Sequence, residues 1–239
     1  MERSKIQRLY DACNATFSKG ELPTLEEIQW LQNLLDPMEA IDVGIDEFSD
    51  ERSPFVCRRT LNPVGCRNLI CAHGISQITY VHIYECDDFS IGVFCYPAGG
   101  TLPLHDHPRM TVLSKVLYGS VYIKAYDWVK CWDSNGKIGG LGGMVLDGVY
   151  QAPCETSVLF PASGGNIHSF TALTPCAILD VLSPPYSEEF GRPSTYYSDI
   201  PIPFFPGYAL LEEKELPDDL VVISAPYLGP ELAVDLDFC

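Results

Sequence analysis

A mainly β, antiparallel barrel or sandwich opened by short helices is the fold this chain predicts, on three observations. From residue 75 to 182, short β-branched and aromatic runs alternate with Gly, Pro, Asp and Asn about every eight to twelve residues, the cadence of strands joined by turns. No helix-length periodic segment interrupts them, so the strands have antiparallel neighbours rather than βαβ crossovers. Helical spacing is confined to the first forty or so residues. With 239 residues there is enough chain for one large domain.

The elements follow in order. Ile6, Leu9, Tyr10, Cys13 and Phe17 share one face of a first helix. Thr24 and Glu27 form a capping box ahead of Leu25, Ile28, Leu31, Leu34 and Leu35, and Asp36-Pro37 ends that second helix. Residues 1–50 are thus expected to be a helical segment packed on the barrel. Residues 51–76 are locally basic (Arg52, Arg58, Arg59, Arg67) and rich in turn formers, which reads as a linker loop. The barrel core is assigned to 77–183, with strands at 77–85, 90–96, 110–117, 120–128, 143–150, 157–160, 167–172 and 176–182. In 120–128, Val121, Ile123 and Ala125 alternate with Ser120, Tyr122 and Lys124, the pattern of a half-buried strand. After Ser183-Pro184-Pro185, residues 184–239 are Pro-rich and then acidic, an extended strap over the barrel rather than a second core. The whole is expected to be a single-domain monomer.

Charge narrows the function. Asp and Glu number 32 against 15 Lys and Arg, a net charge of −17, which repels phosphate backbones and excludes nucleic-acid reading as a primary role. No apolar run is long enough to span a bilayer, and Met1-Glu2-Arg3-Ser4-Lys5 is not followed by an apolar signal core. Ten irregularly spaced cysteines are too sparse for a disulfide scaffold. Reduced thiols and a cytoplasmic and nuclear location are expected.

Five histidines carry the chemistry: His73, His82, His105, His107 and His168. In extended backbone, residues two apart point to one face, so His105 and His107 reach a common point, and Pro103 and Pro108 stiffen the flanks. Two converging neutral imidazoles suit a divalent transition metal, although His-x-His alone is as readily a surface pair at a strand end. The wider spacing is more specific. Gly99, His105, His107 and Gly119 match the first motif of the cupin barrel, a double-stranded β-helix or jelly roll, with Val112 where that motif carries a glutamate ligand. The second cupin motif supplies another histidine, and Gly164-Gly165-Asn166-Ile167-His168 is the candidate. Three neutral ligands would leave the metal its full charge and favour an anionic co-ligand, best a thiolate, beside O2. Zinc is redox-silent, so Fe(II) is the expected ion.

Asp180 lies inside the apolar strand 176–182, and a buried carboxylate needs a partner or a task. Read as a hairpin around Leu173-Thr174-Pro175, residues 167–182 would pair His168 with Asp180. The carboxyl would then sit beside the metal ligands, placed to hold a substrate amine. Tyr186, after Pro184-Pro185, would bring a phenol to the same mouth.

Together these features resemble the plant cysteine oxidases, thiol dioxygenases related to animal 2-aminoethanethiol dioxygenase. The resemblance spans about residues 26–222 and is strongest in the runs 103–108 (Pro-Leu-His-Asp-His-Pro), 110–119, 124–128 and 180–186. It implies that His105, His107 and His168 bind iron and that Asp180 and Tyr186 influence turnover. The animal enzyme carries a Cys-x-Tyr where this chain has Ser194-Thr195-Tyr196, so a thioether crosslink there is not expected. The implied reaction adds both atoms of O2 to the N-terminal Cys of a protein, giving the sulfinic acid. The implied partners are Cys-initiated proteins, ethylene-response-type transcription factors among them, whose oxidation feeds the Arg branch of the N-degron route and so reports oxygen supply.

Two other readings stay open on the residues alone. One is oxidation of free cysteine or a small aminothiol, whose carboxylate would call on Arg109, the basic residue next to the motif. The other is a cupin module that binds metal without turnover. A zinc site at Cys57, Cys66, Cys71 and His73 matches no paired-ligand spacing, and His82 reads as a packed strand residue.

Overall fold

A computed structural model describes residues 3–45, 76–134, 137–218 and 220–234. The basic stretch with its Cys57, Cys66, Cys71 and His73 lies outside them. Helix α1 is Lys5–Phe17, capped by Ser4; helix α2 is Leu25–Leu35, with the Thr24/Glu27 capping box formed. A 3-10 turn, Ala40–Val43, follows. Twelve strands come next: β1 Ser76–Glu85, β2 Ser90–Tyr96, β3 Thr101–His105, β4 Thr111–Tyr118, β5 Ser120–Ser134, β6 Lys137–Gln151, β7 Ser157–Leu159, β8 Ile167–Ala172, β9 Cys176–Ser183, β10 Tyr196–Pro201, β11 Tyr208–Lys214 and β12 Leu220–Ala225.

They form two sheets, the mainly antiparallel barrel the periodicity demands. One runs β12-β1-β2-β9-β4-β7; the other, β10-β11-β6-β5-β8-β3, closes on itself. Strand β12 is the exception, adding parallel to β1. The first sheet is covered on both faces. Its outer side packs on the helices through Leu9, Cys13, Leu31 and Leu35 against Val93, Leu113, Leu179 and Val181. Its inner side, Ile178 and Cys176 among others, meets Phe170, Ile123 and Val121 of the second sheet. Burial on both faces explains why β9 reads as an apolar run broken only by Asp180, with residues 176–182 all buried. On the apolar face expected for α2, only Leu25 turns outward.

The hairpin expected between residues 167 and 182 does not form. Strand β8 pairs with β3 and β5, whereas β9 pairs with β2 and β4. The 173–175 corner crosses from one sheet to the other, pinned when Leu173 and Thr174 donate their N–H groups to the Ser120 carbonyl. Alternation of side chains is the same on either side of a hairpin and of a sheet-crossing corner, so periodicity could not separate them. His168 therefore pairs with His105 and Ala125, and Asp180 pairs with Gly92 and Ser114.

The C-terminal segment does more than lie across the barrel. Tyr197, Ala209 and Leu211 bury against Leu104, Tyr126 and Ile167 on the back of the β3-β8-β5 sheet. Farther on, Ala233 exchanges two hydrogen bonds with the Gln7 side chain (2.7 and 3.1 Å), tying the tail to α1.

Candidate metal centre

His105 ends β3, His107 follows one residue on, and His168 sits on the adjacent β8, where it is the direct partner of His105. The sheet thus joins ligands 63 positions apart as neighbours. One ligand nitrogen from each of the three lies within 4.8 Å of the others, and all three side chains are buried. Ring centroids are 4.9, 5.0 and 4.5 Å apart.

Backbone carbonyls fix the rings. His105 Nδ1 donates to the Pro103 carbonyl (2.8 Å) and His107 Nδ1 to the Asn166 carbonyl (2.9 Å), which leaves each Nε2 with a free lone pair. The Gly165 backbone engages the His168 ring. Burial holds the rings neutral, lowering His105 to about 4 and His107 to about 3, with the neighbouring His105 adding to the second shift. His168 is held well below the usual imidazole range by the same burial and by the neighbouring His107 and His105 rings. Three neutral imidazoles converging without a carboxylate fit a divalent transition metal. Where a fourth, acidic ligand would stand, Val112 is buried among Met110, Leu159 and Leu182.

The surroundings lock this loop in ways the sequence reading missed. Asn166 accepts the His107 N–H (3.1 Å) and donates to the carbonyls of His107 (2.8 Å) and Phe160 (3.0 Å). Asp127 accepts the N–H groups of Gly165 and Asn166, both at 2.9 Å. Gly165 has φ of +84°, and a Cβ there would come within 2.7 Å of Ala125 Cβ, so only glycine lets the loop approach β5. Asp106, between the two ligands, accepts from the Thr195 N–H (2.9 Å) and the Tyr197 hydroxyl (3.1 Å), joining the His-x-His turn to β10. Asp106, Asp127, Gly165 and Asn166 all stand in runs that the sequence singled out, but without a role of their own there.

Asp180 and Tyr186 separate in role. Asp180 faces the interior beside its strand partner Ser114, whose side chain favours the ionised carboxyl. Ser114 and His168 together line a cavity of about 40 Å³, and no Lys or Arg lines it among the described residues. Asp180 Oδ1 is buried with no hydrogen-bond partner, and burial raises the carboxyl to about 7. Tyr186 stands 5.6 Å from the His107 ring, but its hydroxyl donates to the Asp106 carbonyl (2.7 Å), so it braces the ligand turn. Arg109 is exposed, and its guanidinium donates to the carbonyls of Phe190 (2.7 Å) and Gly191 (2.9 Å).

The model of the PCO_ADO family matches residues 34–232. Plant cysteine oxidase 2 of Arabidopsis thaliana is 41% identical over 244 residues, covering 95% of this chain and 83% of that protein. Plant cysteine oxidase 1 of the same plant is 37% identical over 246 residues, covering 95% and 80%. The 2-aminoethanethiol dioxygenase of Homo sapiens is 31% identical over 243 residues, covering 87% and 82%. Among solved structures, an RmlC-like cupin protein from Desulfovibrio desulfuricans superposes with a TM-score of 0.32 at 19% identity, over 51% of this chain and 97% of that one.

Proposed function

This chain belongs to the PCO_ADO family and is a cysteine-type thiol dioxygenase, and from that premise we propose that it oxidises the N-terminal cysteine of peptides and proteins to the sulfinic acid. The reaction consumes one O2 per thiol and places both atoms on sulfur. The observation that carries this reading is the orphaned, buried carboxyl oxygen of Asp180, the strand partner of Ser114, which lines one cavity with His168. A substrate ammonium satisfies that oxygen, while a substrate carboxylate would be repelled by it. Free cysteine has such a carboxylate, and the one basic side chain beside the ligand motif, Arg109, is engaged by two carbonyls at the surface.

His105, His107 and His168 would hold Fe(II), which when bound supplies the electronic partner that lets O2 react with a thiolate. The chain's own contribution is placement. Asp180 holds the amine and Ser114 aims the carboxyl; Val112, Leu159 and Leu182 keep water from the wall where a fourth ligand would otherwise stand. Tyr186 keeps the His105–His107 turn in register through the Asp106 carbonyl. In a cell, oxidised targets would enter the Arg/Cys N-degron route, with ethylene-response-type transcription factors as the protein partners. The enzyme would act as an oxygen sensor in cytoplasm and nucleus, as a monomer.

Mass spectrometry of a Cys-initiated peptide after incubation with iron-loaded enzyme and isotopically labelled O2 tests the reading. A gain of two labelled oxygens is expected. No gain on the peptide, with free cysteine consumed instead, would overturn it.

A further inference from the structure

Resting on that reading of the substrate, we propose that Tyr80 is a substrate-binding residue whose hydroxyl donates a hydrogen bond to the first peptide carbonyl of the Cys-initiated chain. Strand geometry decides where this phenol goes. Ile78 on β1 points into the barrel with Tyr96 and Phe94 of β2, and Tyr80, two residues after Ile78, shares that face. Its ring packs on Phe94 at a centroid distance of 4.8 Å. Gly92 pairs with His82 on one side and with Asp180 on the other. A Cβ built on Gly92 would lie 2.4 Å from Tyr80 Oη and 2.5 to 2.6 Å from two ring carbons. The missing side chain is therefore the space the phenol occupies, and the hydroxyl lies over β2 at the residue that faces Asp180.

Two polar groups then flank one backbone position. Asp180 Oδ1 has no hydrogen-bond partner, and the Tyr80 hydroxyl lies over Gly92, the strand partner of Asp180. Burial, followed by the carboxylates of Glu85 and Asp180, raises the phenol to about 12, so it is a protonated donor at neutral pH. An acceptor for an ammonium beside a neutral donor matches the start of a peptide, where the α-amine and the first carbonyl are separated by one carbon. In 2-aminoethanethiol the carbonyl is missing, and the Tyr80 donor gains nothing from it.

The test compares wild-type and Tyr80→Phe enzyme, both iron-loaded, on a Cys-Gly-Gly peptide and on 2-aminoethanethiol. The ratio of kcat/KM for peptide over aminothiol is expected to fall about fivefold in the variant, the worth of one neutral hydrogen bond, and to appear in KM rather than kcat. Anaerobic calorimetry of peptide binding should show the same loss without any turnover. Gly92→Ala, which drives a methyl into the ring, should lower the ratio in the same direction. An unchanged ratio and unchanged peptide affinity in Tyr80→Phe, with wild-type enzyme oxidising the peptide, would overturn the role of Tyr80 alone. A wild-type enzyme that neither binds nor oxidises the peptide overturns this role and the proposed function together.

Discussion

Ser114 on β4 and Asp180 on β9 face each other across neighbouring strands, and the serine side chain opposes the upward push of burial on the carboxyl while Asp180 Oδ1 stays unpaired. Leaving an acceptor half satisfied inside a barrel costs stability, on the order of 1–3 kcal/mol. Such a cost marks a group kept for a ligand rather than for folding.

Asp180→Asn separates the two contributions. Burial raises the folded carboxyl from 3.8 to about 7, whereas the unfolded chain titrates near ~3.9. Between those values the folded state holds a proton that the unfolded state has lost, so the metal-free protein loses stability as pH rises from about 4 to about 7 and then levels off. Measured by thermal melts, the metal-free Asn variant should gain on wild type between about pH 5 and pH 8, by a few kcal/mol at most. Loaded with iron, the same variant should oxidise a Cys-initiated peptide about 10–100-fold more slowly. Full activity together with a pH-independent stability difference would contradict both expectations.

His168→Ala removes the ligand that β8 contributes while leaving the sheet pairing with β3 and β5 to the backbone. Two imidazoles hold a divalent ion far more weakly than three, so iron per protein after desalting should drop at least about tenfold. Elemental analysis reads this directly, and stoichiometric iron in the variant would remove His168 from the site.

Asn166→Ala strips the side-chain bonds to the His107 N–H, the His107 carbonyl and the Phe160 carbonyl. Groups that orient a metal ligand typically carry about 10–100-fold in affinity, so iron titration should show a loss of that size. The melting temperature should fall as well, because buried backbone groups are left unpaired. Wild-type iron affinity in Asn166→Ala would mean that the carbonyl of residue 166 orients His107 without help from the amide side chain.

What the sequence made legible follows from the range of each interaction. His105 and His107 were readable because two residues in extended backbone share a face, and the glycine spacing around them pointed to the barrel. The helices were readable because their caps and apolar stripes are local. Asn166 and Asp106 were not, since their partners lie 59 and 89 to 91 positions away and only the fold brings them near. The His168–Asp180 pairing failed for the same reason: a corner between sheets and a hairpin within one share their alternation. Strands β10 and β11 were hidden by prolines and charged residues, and their pairing is decided by the exposed back of β3, β8 and β5.

Strand β10 has a consequence for biosynthesis. Asp106 takes its donors from Thr195 and Tyr197, and β3 gains its outer neighbour only through Tyr196. A ribosome delivers the chain from its amino end, so when His168 emerges all three imidazoles and the Asn166 bonds to His107 exist, but Asp106 still lacks the donors of Thr195 and Tyr197. The full bracing of the ligand turn thus belongs to the nearly finished polypeptide. A message cut short before the codon for Thr195 would yield protein with every histidine of the triad and an Asp106 carboxylate stripped of both its donors.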